Sequence, residues 1–360
     1  MAFTDDDDRQ FMSLALREAR KGVGLTSPNP PVGAVIVSPD GQVLGKGWHH
    51  RAGAPHAERE AIDAAGGPAA CRGATIYVTL EPCSSHGRTP PCLDALLEAG
   101  ISRVVWAVDD PNPAHAGRAH QLLEAQGVAV ARGVRATEAA ALLAPWRTFI
   151  TTGRPWVIAK AGLSLDGKLT RPRGESQWIT NDLARQDAQR LRRRADAILV
   201  GAETVRRDNP SLTLRPPRPG KEQPWRIVLS RSRRLPAESH LLTDEHRDRT
   251  LVLGRESLPD ILKSLAARDV VTVLIEGGGT VLAQAFAQKL VDEAVFYIAP
   301  LLCGTGRPVI DPGYFAGGSV RLIDASWKTF GDNTRVSGLT PRGALGALGD
   351  LPESLIASRP

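Results

Sequence analysis

The amino-acid sequence predicts an α/β protein of two domains, a three-layer sandwich over residues 1–150 and a second α/β unit over residues 151–360. Three observations predict it. A chain of 360 residues has room for two cores, and 42% apolar against 23% charged residues is the composition of packed globular domains. Short apolar runs of strand length alternate with stretches of helical periodicity, as in α/β folds. Thr151-Thr152-Gly153-Arg154-Pro155 then breaks the alternation, and a fresh strand begins at Trp156.

Thr4 caps a first helix in which Phe11, Met12, Leu14, Ala15, Leu16 and Ala19 recur at helical spacing as far as Lys21-Gly22. Ser27-Pro28-Asn29-Pro30-Pro31 is a rigid turn into a hairpin, 32–37 and 42–48, folded across Asp40-Gly41. The hairpin delivers His49-His50 and then His56, which opens a helix to Ala65 that Gly66-Gly67-Pro68 stops. A buried strand, 74–80, ends at Glu81-Pro82-Cys83; helix 93–99, strand 103–108, helix 117–126, strand 128–131 and helix 138–148 complete the first domain.

The second domain reads as strand 156–161, helix 182–195 capped by Thr180 or Asn181, strand 197–200 and a proline-rich loop over 216–224. Strands 226–229 and 250–253, helix 259–267, strand 271–275, helix 280–289 and strand 293–298 follow. From about Arg342 large apolar residues are scarce, and a loose tail is expected.

Composition narrows the function classes. Four cysteines in a long chain, with an acidic N-terminal stretch and no basic, apolar leader or membrane span, point to a reducing cytoplasm. The net charge of +6 comes from the second half, the first being slightly acidic. A basic second half suits small phosphate-bearing ligands as well as it suits a solvated arginine-rich surface. Nucleic-acid binding is not expected, because the densest basic run, Arg190 to Arg194, lies on a helical pattern rather than in a tail with interleaved aromatics. Oligomeric state is left open, a homo-oligomer included.

His56-Ala57-Glu58, Pro82-Cys83 and Cys92 carry the chemistry. One histidine and two cysteines suit tetrahedral zinc with one open position, the arrangement of a catalytic site. Zinc lowers the pKa of a bound water to about 7, and a carboxylate that does not ligate, Glu58, can carry the proton to a leaving nitrogen. Zinc deaminases of nucleobases show H-x-E followed by P-C-x-x-C. Here the second cysteine comes nine residues after the first, so a loop is inserted, and Pro90-Pro91 suit a helix start at Cys92. The competing readings are core packing, a Cys83–Cys92 disulfide, and a structural staple with His86 as fourth ligand. In the second half Glu276-Gly277-Gly278-Gly279-Thr280 ends an apolar strand and opens a helix, where backbone N–H groups can meet a phosphate. A glycine turn without a ligand fits the same residues.

Several longer motifs then match one family. His56-Ala57-Glu58, Thr79-Leu80-Glu81-Pro82-Cys83 through Gly87-Arg88-Thr89-Pro90-Pro91-Cys92, Asp110-Pro111-Asn112-Pro113, Ser164-Leu165-Asp166-Gly167-Lys168 and Gly174-Glu175-Ser176-Gln177-Trp178-Ile179-Thr180 resemble the bifunctional riboflavin-biosynthesis deaminase/reductases over roughly residues 10–335. The resemblance implies a cytidine-deaminase-like domain followed by a dihydrofolate-reductase-like domain. The first would remove the 2-amino group of a diaminopyrimidinone ribosylamine phosphate, and the second would reduce the ribosyl to ribityl with NADPH. A free nucleoside or tRNA deaminase with an unrelated second domain, and a zinc-stapled binding protein, are the alternatives.

Carried onto this chain, the resemblance makes His56, Cys83 and Cys92 zinc ligands and Glu58 the general acid/base. Asn29 and His49 would touch the pyrimidine, with Asp110 and Asn112 near ribose or phosphate. In the reductase Ser176, Arg192, Leu212, Arg215 and Glu276 would meet substrate, the arginines as phosphate readers. Gly162, Trp178, Thr204, Asp208, Gly278, Gly279 and Thr280 would meet the cofactor. Lys160 and Asp166 lie near the hydride-transfer position without an assigned role. Many relatives have Asp-Ser where this chain has Ser230-Arg231, and that arginine faces either the cofactor 2′-phosphate or solvent. Cys71 and Cys303 belong to no motif and read as packing residues.

Overall fold

The computed structural model describes residues 3–84, 91–112, 118–176, 178–316 and 318–348, and the chain divides into two compact units, Met1–Thr152 and Gly153–Pro360. In the first, helix α1 (Asp5–Gly22) starts at Thr4, whose hydroxyl accepts from the Asp7 N–H while the Asp7 carboxylate accepts from the Thr4 N–H. Two otherwise unmatched N–H groups are thereby satisfied. Strands β1 (Gly33–Val37) and β2 (Val43–Trp48) form the antiparallel hairpin. β3 (Thr75–Val78) is antiparallel to β1, and β4 (Arg103–Trp106) and β5 (Ala129–Arg132) continue parallel, giving the order β2-β1-β3-β4-β5.

Helices cover both faces. α1 and α5 (Ala136–Thr152) pack Met12, Leu16 and Ala139 against Val35, Val37, Tyr77 and Val105. α2 (Ala57–Ala64) lies opposite, over Gly45 and Gly47, whose partners Ile36 and Ala34 point away from Val35 and Val37. A Cβ at Gly47 would stand 2.3 Å from the Ala57 carbonyl oxygen, so only glycine lets the helix come this close. The approach seats the N-terminus of α2, where His56 lies, against the sheet. Asp8, 5% exposed, pins α1 to the strands by accepting two 2.7 Å bonds from Arg103 and one of 2.7 Å from the Tyr77 hydroxyl. α3 (Cys92–Glu98) and α4 (Arg118–Ala125) connect the parallel strands. α5 carries on through Thr151 and Thr152, placed in the joint by the sequence reading, and both hydroxyls donate to carbonyls one turn back, at 2.7 and 2.6 Å.

The second unit is an eight-stranded sheet, β12-β13-β11-β6-β10-β7-β8-β9. β6 (Trp156–Ser164), β7 (Ala197–Gly201), β8 (Trp225–Leu229), β9 (Thr250–Leu253), β10 (Thr272–Glu276) and β11 (Glu293–Ala299) run parallel, and β12 (Ile323–Phe330) and β13 (Asn333–Leu339) close one side as an antiparallel hairpin. The mixed sheet is compatible with the dihydrofolate-reductase-like expectation. Helices α6 (Asp182–Arg194), α7 (Ala202–Asp208), α8 (His240–Thr243), α9 (Leu258–Ala266) and α10 (Gly279–Ala287) join the strands. Asn181 caps α6, accepting from the Ala184 N–H at 2.9 Å.

The start of the tail departs from the expectation. Residues 341–348 form helix α11 (Pro341–Leu348), in which Ala344 and Ala347 are each 2% exposed and Gly343 lies on the Asp292 carbonyl. Small residues make this packing, so the scarcity of large ones misled; residues 349–360 lie outside the described residues. Among the described residues no helix is long and apolar enough to cross a membrane.

Candidate functional site

His56 is the N-cap of α2, Glu58 lies in its first turn, and Cys92 is the first residue of α3. Cys83 follows β3. The His56 Nδ1 stands 3.2 Å from the Cys92 Sγ and 3.6 Å from the Cys83 Sγ, and all three ligand atoms lie within 4.8 Å of one another. Tetrahedral zinc with its usual bond lengths would hold nitrogen and sulfur about 3.5 Å apart, so the three fit the ion. Hydrogen bonds from Cys92, whose N–H lies 3.2 Å from the Cys83 sulfur, lower the Cys83 pKa. The shift favours the thiolate, the form that ligates a metal. All four cysteines are free, which sets the disulfide reading aside, and Cys71 and Cys303 are buried as packing residues. His86 lies outside the described residues, as do the rest of the loop 85–90 and Pro113.

Glu58 is 3% exposed, and burial, reinforced by the Cys83 sulfur, raises its pKa. A raised carboxyl pKa brings the group toward exchanging a proton near neutrality. His49 and Asn29 meet beside the centre. The Pro55 carbonyl can only accept, so His49 Nδ1 donates to it at 3.0 Å, and Nε2 accepts from the Asn29 amide nitrogen at 3.0 Å. His49 is 2% exposed, and burial lowers its pKa, keeping the ring neutral. Asp110 accepts from the Asn112 N–H at 2.8 Å, closing a turn. Glu81 was missed as an organiser: its carboxylate, 3% exposed, accepts from the Asp110 and Ala119 N–H groups at 3.0 and 3.2 Å. An acid at a strand end, two residues before a ligand, was the available signal.

In the second unit a cleft of about 790 Å³, a volume suited to a small molecule or cofactor, opens at the C-terminal ends of β6, β10 and β7. Gly162, Trp178, Thr204, Asp208, Gly278, Gly279 and Thr280 line it, and so do Arg192, Leu212, Arg215 and Glu276. Ser176 is not among the lining residues and is exposed, its hydroxyl accepting from the Trp178 N–H at 3.2 Å; Gln177 lies outside the described residues. Gly278 caps α10 at φ 80°, and the Thr280 hydroxyl donates to Asp311 at 3.0 Å. Burial raises the Asp208 pKa.

Arg192 differs from the phosphate reader the sequence suggests. Its Nε and Nη2 hold the two Glu276 oxygens at 2.5 and 3.0 Å, and Nη1 donates to the Thr213 carbonyl at 2.9 Å. The fork is closed on a carboxylate. Lys160, in register with Glu276 across β6 and β10, adds a second cation at 3.7 Å. Despite burial, these charges hold Glu276 at about 2. Arg215 is exposed and has no ion-pair partner among the described residues, which leaves its fork for a ligand anion. Arg185, unremarked in the sequence, stacks over the Trp178 ring at 4.6 Å. Asp166 accepts from Ser164 at 2.5 Å and from the Cys303 and Gly304 N–H groups at 2.9 and 2.7 Å, fastening the segment that carries Arg307 and Pro308 to the cleft wall.

Fold and sites together define a zinc-dependent deaminase domain joined in one chain to a reductase domain. The family model described as "Cytidine and deoxycytidylate deaminase zinc-binding region" matches residues 5–108, and that described as "RibD C-terminal domain" matches residues 155–336. The chain belongs to the RibD family of bifunctional riboflavin-biosynthesis deaminase/reductases. It is 41% identical to riboflavin biosynthesis protein RibD of Bacillus amyloliquefaciens, over 82% of this chain and 85% of that one. With the Escherichia coli K12 RibD it shares 40% over 83% and 89% of the two chains. The solved Acinetobacter baumannii RibD, form 1, superposes with a TM-score of 0.84 at 36% identity, covering 94% of this chain and 99% of that one. A diaminohydroxyphosphoribosylaminopyrimidine deaminase/5-amino-6-(5-phosphoribosylamino)uracil reductase of Thermotoga maritima gives 0.83 at 34%, covering 93% and 99%. The chain is therefore a bifunctional enzyme of riboflavin biosynthesis, with a His/Cys/Cys zinc site in the deaminase and an NADPH-dependent reductase. Matches in both halves set aside the unrelated second domain and the non-enzymatic staple.

Proposed function

We propose that this chain, working in the cytoplasm, hydrolyses the 2-amino group of 2,5-diamino-6-(5-phosphoribosylamino)pyrimidin-4(3H)-one and then reduces the ribosyl side chain of the product to ribityl. The observation that carries the reading is the convergence of three ligand atoms within 4.8 Å beside a deeply buried carboxylate, Glu58.

His56, Cys83 and Cys92 would hold the zinc. When bound, zinc lowers the pKa of a water to about 7 and so supplies a nucleophile at neutral pH. Glu58 takes a proton from the attacking water and passes it to the departing nitrogen, so the ring carbon gains oxygen and loses ammonia. His49 fixes the Asn29 amide by accepting from its nitrogen, which leaves the Asn29 carbonyl oxygen to accept from the pyrimidine's own N–H groups.

In the reductase, NADPH supplies the hydride that reduces the sugar carbon. The cleft fits it: a glycine turn at the N-terminus of α10, with Gly278 at φ 80°, lies in the wall at the C-terminal strand edge, where pyrophosphates bind. Trp178 and Thr204 would flank the coenzyme, and Gly162, whose Cβ would come 3.1 Å from a Thr180 methyl, keeps the wall flat beside it. Leu212, 2% exposed, shapes the substrate end, Arg215 reads its phosphate, and Glu276, oriented by Arg192 and Lys160, accepts from sugar hydroxyls. Ser176 would join them as substrate binds.

Supplying the diaminopyrimidinone phosphate with and without NADPH and identifying products by mass tests this. Without coenzyme, the deaminated ribosylamine and ammonia are expected; with it, a product carrying two further hydrogens. No ammonia in either case, or a reduced sugar on an undeaminated ring, contradicts the order proposed.

A further inference from the structure

Residues 211–215 follow the end of α7 and carry two side chains of the cleft wall, Leu212 and Arg215. Leu212 has φ 51°, in the left-handed region that a residue with a Cβ enters only at a cost. A residue keeps such a conformation where its surroundings over-determine it, and residues of this kind gather at ligand sites.

Three side chains from outside the segment fix the backbone on both sides of Leu212. Arg226, in β8, donates from Nη1 to the Ser211 carbonyl at 3.2 Å. Arg192 donates to the Thr213 carbonyl at 2.9 Å, and the Gln223 amide oxygen accepts from the Leu214 N–H at 2.7 Å. The peptide groups before and after the left-handed residue are thereby held, the last of them next to Arg215.

Arg226 is fully buried, and every N–H of its guanidinium is taken. Nε donates to the Thr250 hydroxyl at 3.0 Å, and Nη1 donates to Asp244 at 2.5 Å as well as to Ser211. Nη2 donates to the Leu241 carbonyl at 3.1 Å and to Asp244 at 2.8 Å. Asp244 balances the charge, and the other three bonds tie Ser211 to α8 and β9. A buried ion pair adds little net stability over an apolar residue of the same size, so what this one supplies is a fixed geometry. Neither Arg226 nor Gln223 lines the cleft, whereas Arg215, at the end of the segment they hold, is exposed and does. A fixed backbone under a long side chain lowers the ordering cost of binding.

From these anchors around a left-handed leucine, we infer that Arg226 and Gln223 are positioning residues of the reductase, holding residues 211–215 in the shape that presents Arg215 to the substrate's phosphate. The inference rests on the proposed reading of Arg215 as the phosphate reader. Steady-state reduction by the full-length, zinc-loaded protein at saturating NADPH tests it, with 5-amino-6-(5-phosphoribosylamino)uracil and with the same compound lacking its phosphate. Arg226→Lys keeps a cation beside Asp244 but offers three donors in place of five, and Gln223→Ala removes the acceptor for Leu214. Each variant should raise KM for the phosphorylated substrate about tenfold, the loss of a charged hydrogen bond, with kcat and the KM for the unphosphorylated compound unchanged. Gln223 is partly exposed, and its variant decides alone should Arg226→Lys fail to fold. A fall in kcat, equal weakening of both compounds, or a wild-type KM for the phosphorylated substrate in either folded variant overturns this inference. Wild-type protein that does not distinguish the two compounds overturns the reading of Arg215 with it.

Discussion

Two enclosed carboxylates, one in each half of the chain, are driven in opposite directions. Glu58, 3% exposed, loses solvation and has an anionic sulfur nearby, and its pKa rises. Glu276, with a side chain 11% exposed, suffers the same desolvation, yet Arg192 and Lys160 outweigh it and hold the group at about 2. Burial alone does not decide what an acid does; the charge placed beside it does. An acid whose pKa burial pushes up is able to trade a proton, whereas one clamped by two cations is a fixed anion that orients what it touches.

The largest effect should come from dismantling the first site. Cys92→Ser is expected to lose zinc and with it all measurable ammonia release, while reduction of separately supplied deaminated intermediate continues; parallel loss of both activities in folded protein would break the division between the halves. Next comes the clamp. Glu276→Gln leaves Arg192 enclosed without its anion, and the second domain should lose about 3 kcal/mol, read from denaturant unfolding. The sign with pH follows. A carboxylate at about 2 when folded, against its ordinary 4.5, stabilises the fold above pH 4.5 and gives that contribution up as pH falls toward 2. Wild-type stability should therefore decline through that interval and the variant's should decline less; equal slopes would show the clamp to be slack.

A smaller loss is expected from Gly47→Ala, whose added carbon meets the Ala57 carbonyl at 2.3 Å and must displace α2. The first domain should lose about 1–3 kcal/mol, with weaker zinc retention in a chelator competition. Unchanged zinc affinity would mean that α2 does not depend on this approach. Smallest is Asn29→Ala, which removes one neutral hydrogen-bonding group and should lower deaminase kcat/KM about tenfold with zinc content intact.

How much of this was legible in the sequence differs between the halves for a physical reason. The first site is carried by short spacings and two helix starts, so His56, Glu58, Cys83 and Cys92 could be named from residue types and helix signals. Their long-range neighbours could not: Asn29 and His49 meet through a turn and a hairpin end, and only the resemblance named them. In the second half, regular strands and helices showed in their periodicity, but β12 exposes nearly every residue and so carries no alternation to detect. α7 is seven residues long and polar, too short for a helical period to show. The Arg192–Glu276 pairing joins positions on α6 and β10 that no local pattern connects, which is why a guanidinium read as a phosphate reader is found closed on a carboxylate.

Metal analysis and ammonia release measured together on Glu58→Gln test the central claim most directly. The variant should retain the wild-type zinc content and release ammonia at least about 100-fold more slowly, because the proton carrier is gone while the ligands remain. Wild-type ammonia release, or zinc lost along with activity, would contradict the account, the first by removing Glu58 from the chemistry and the second by making it part of the metal's coordination.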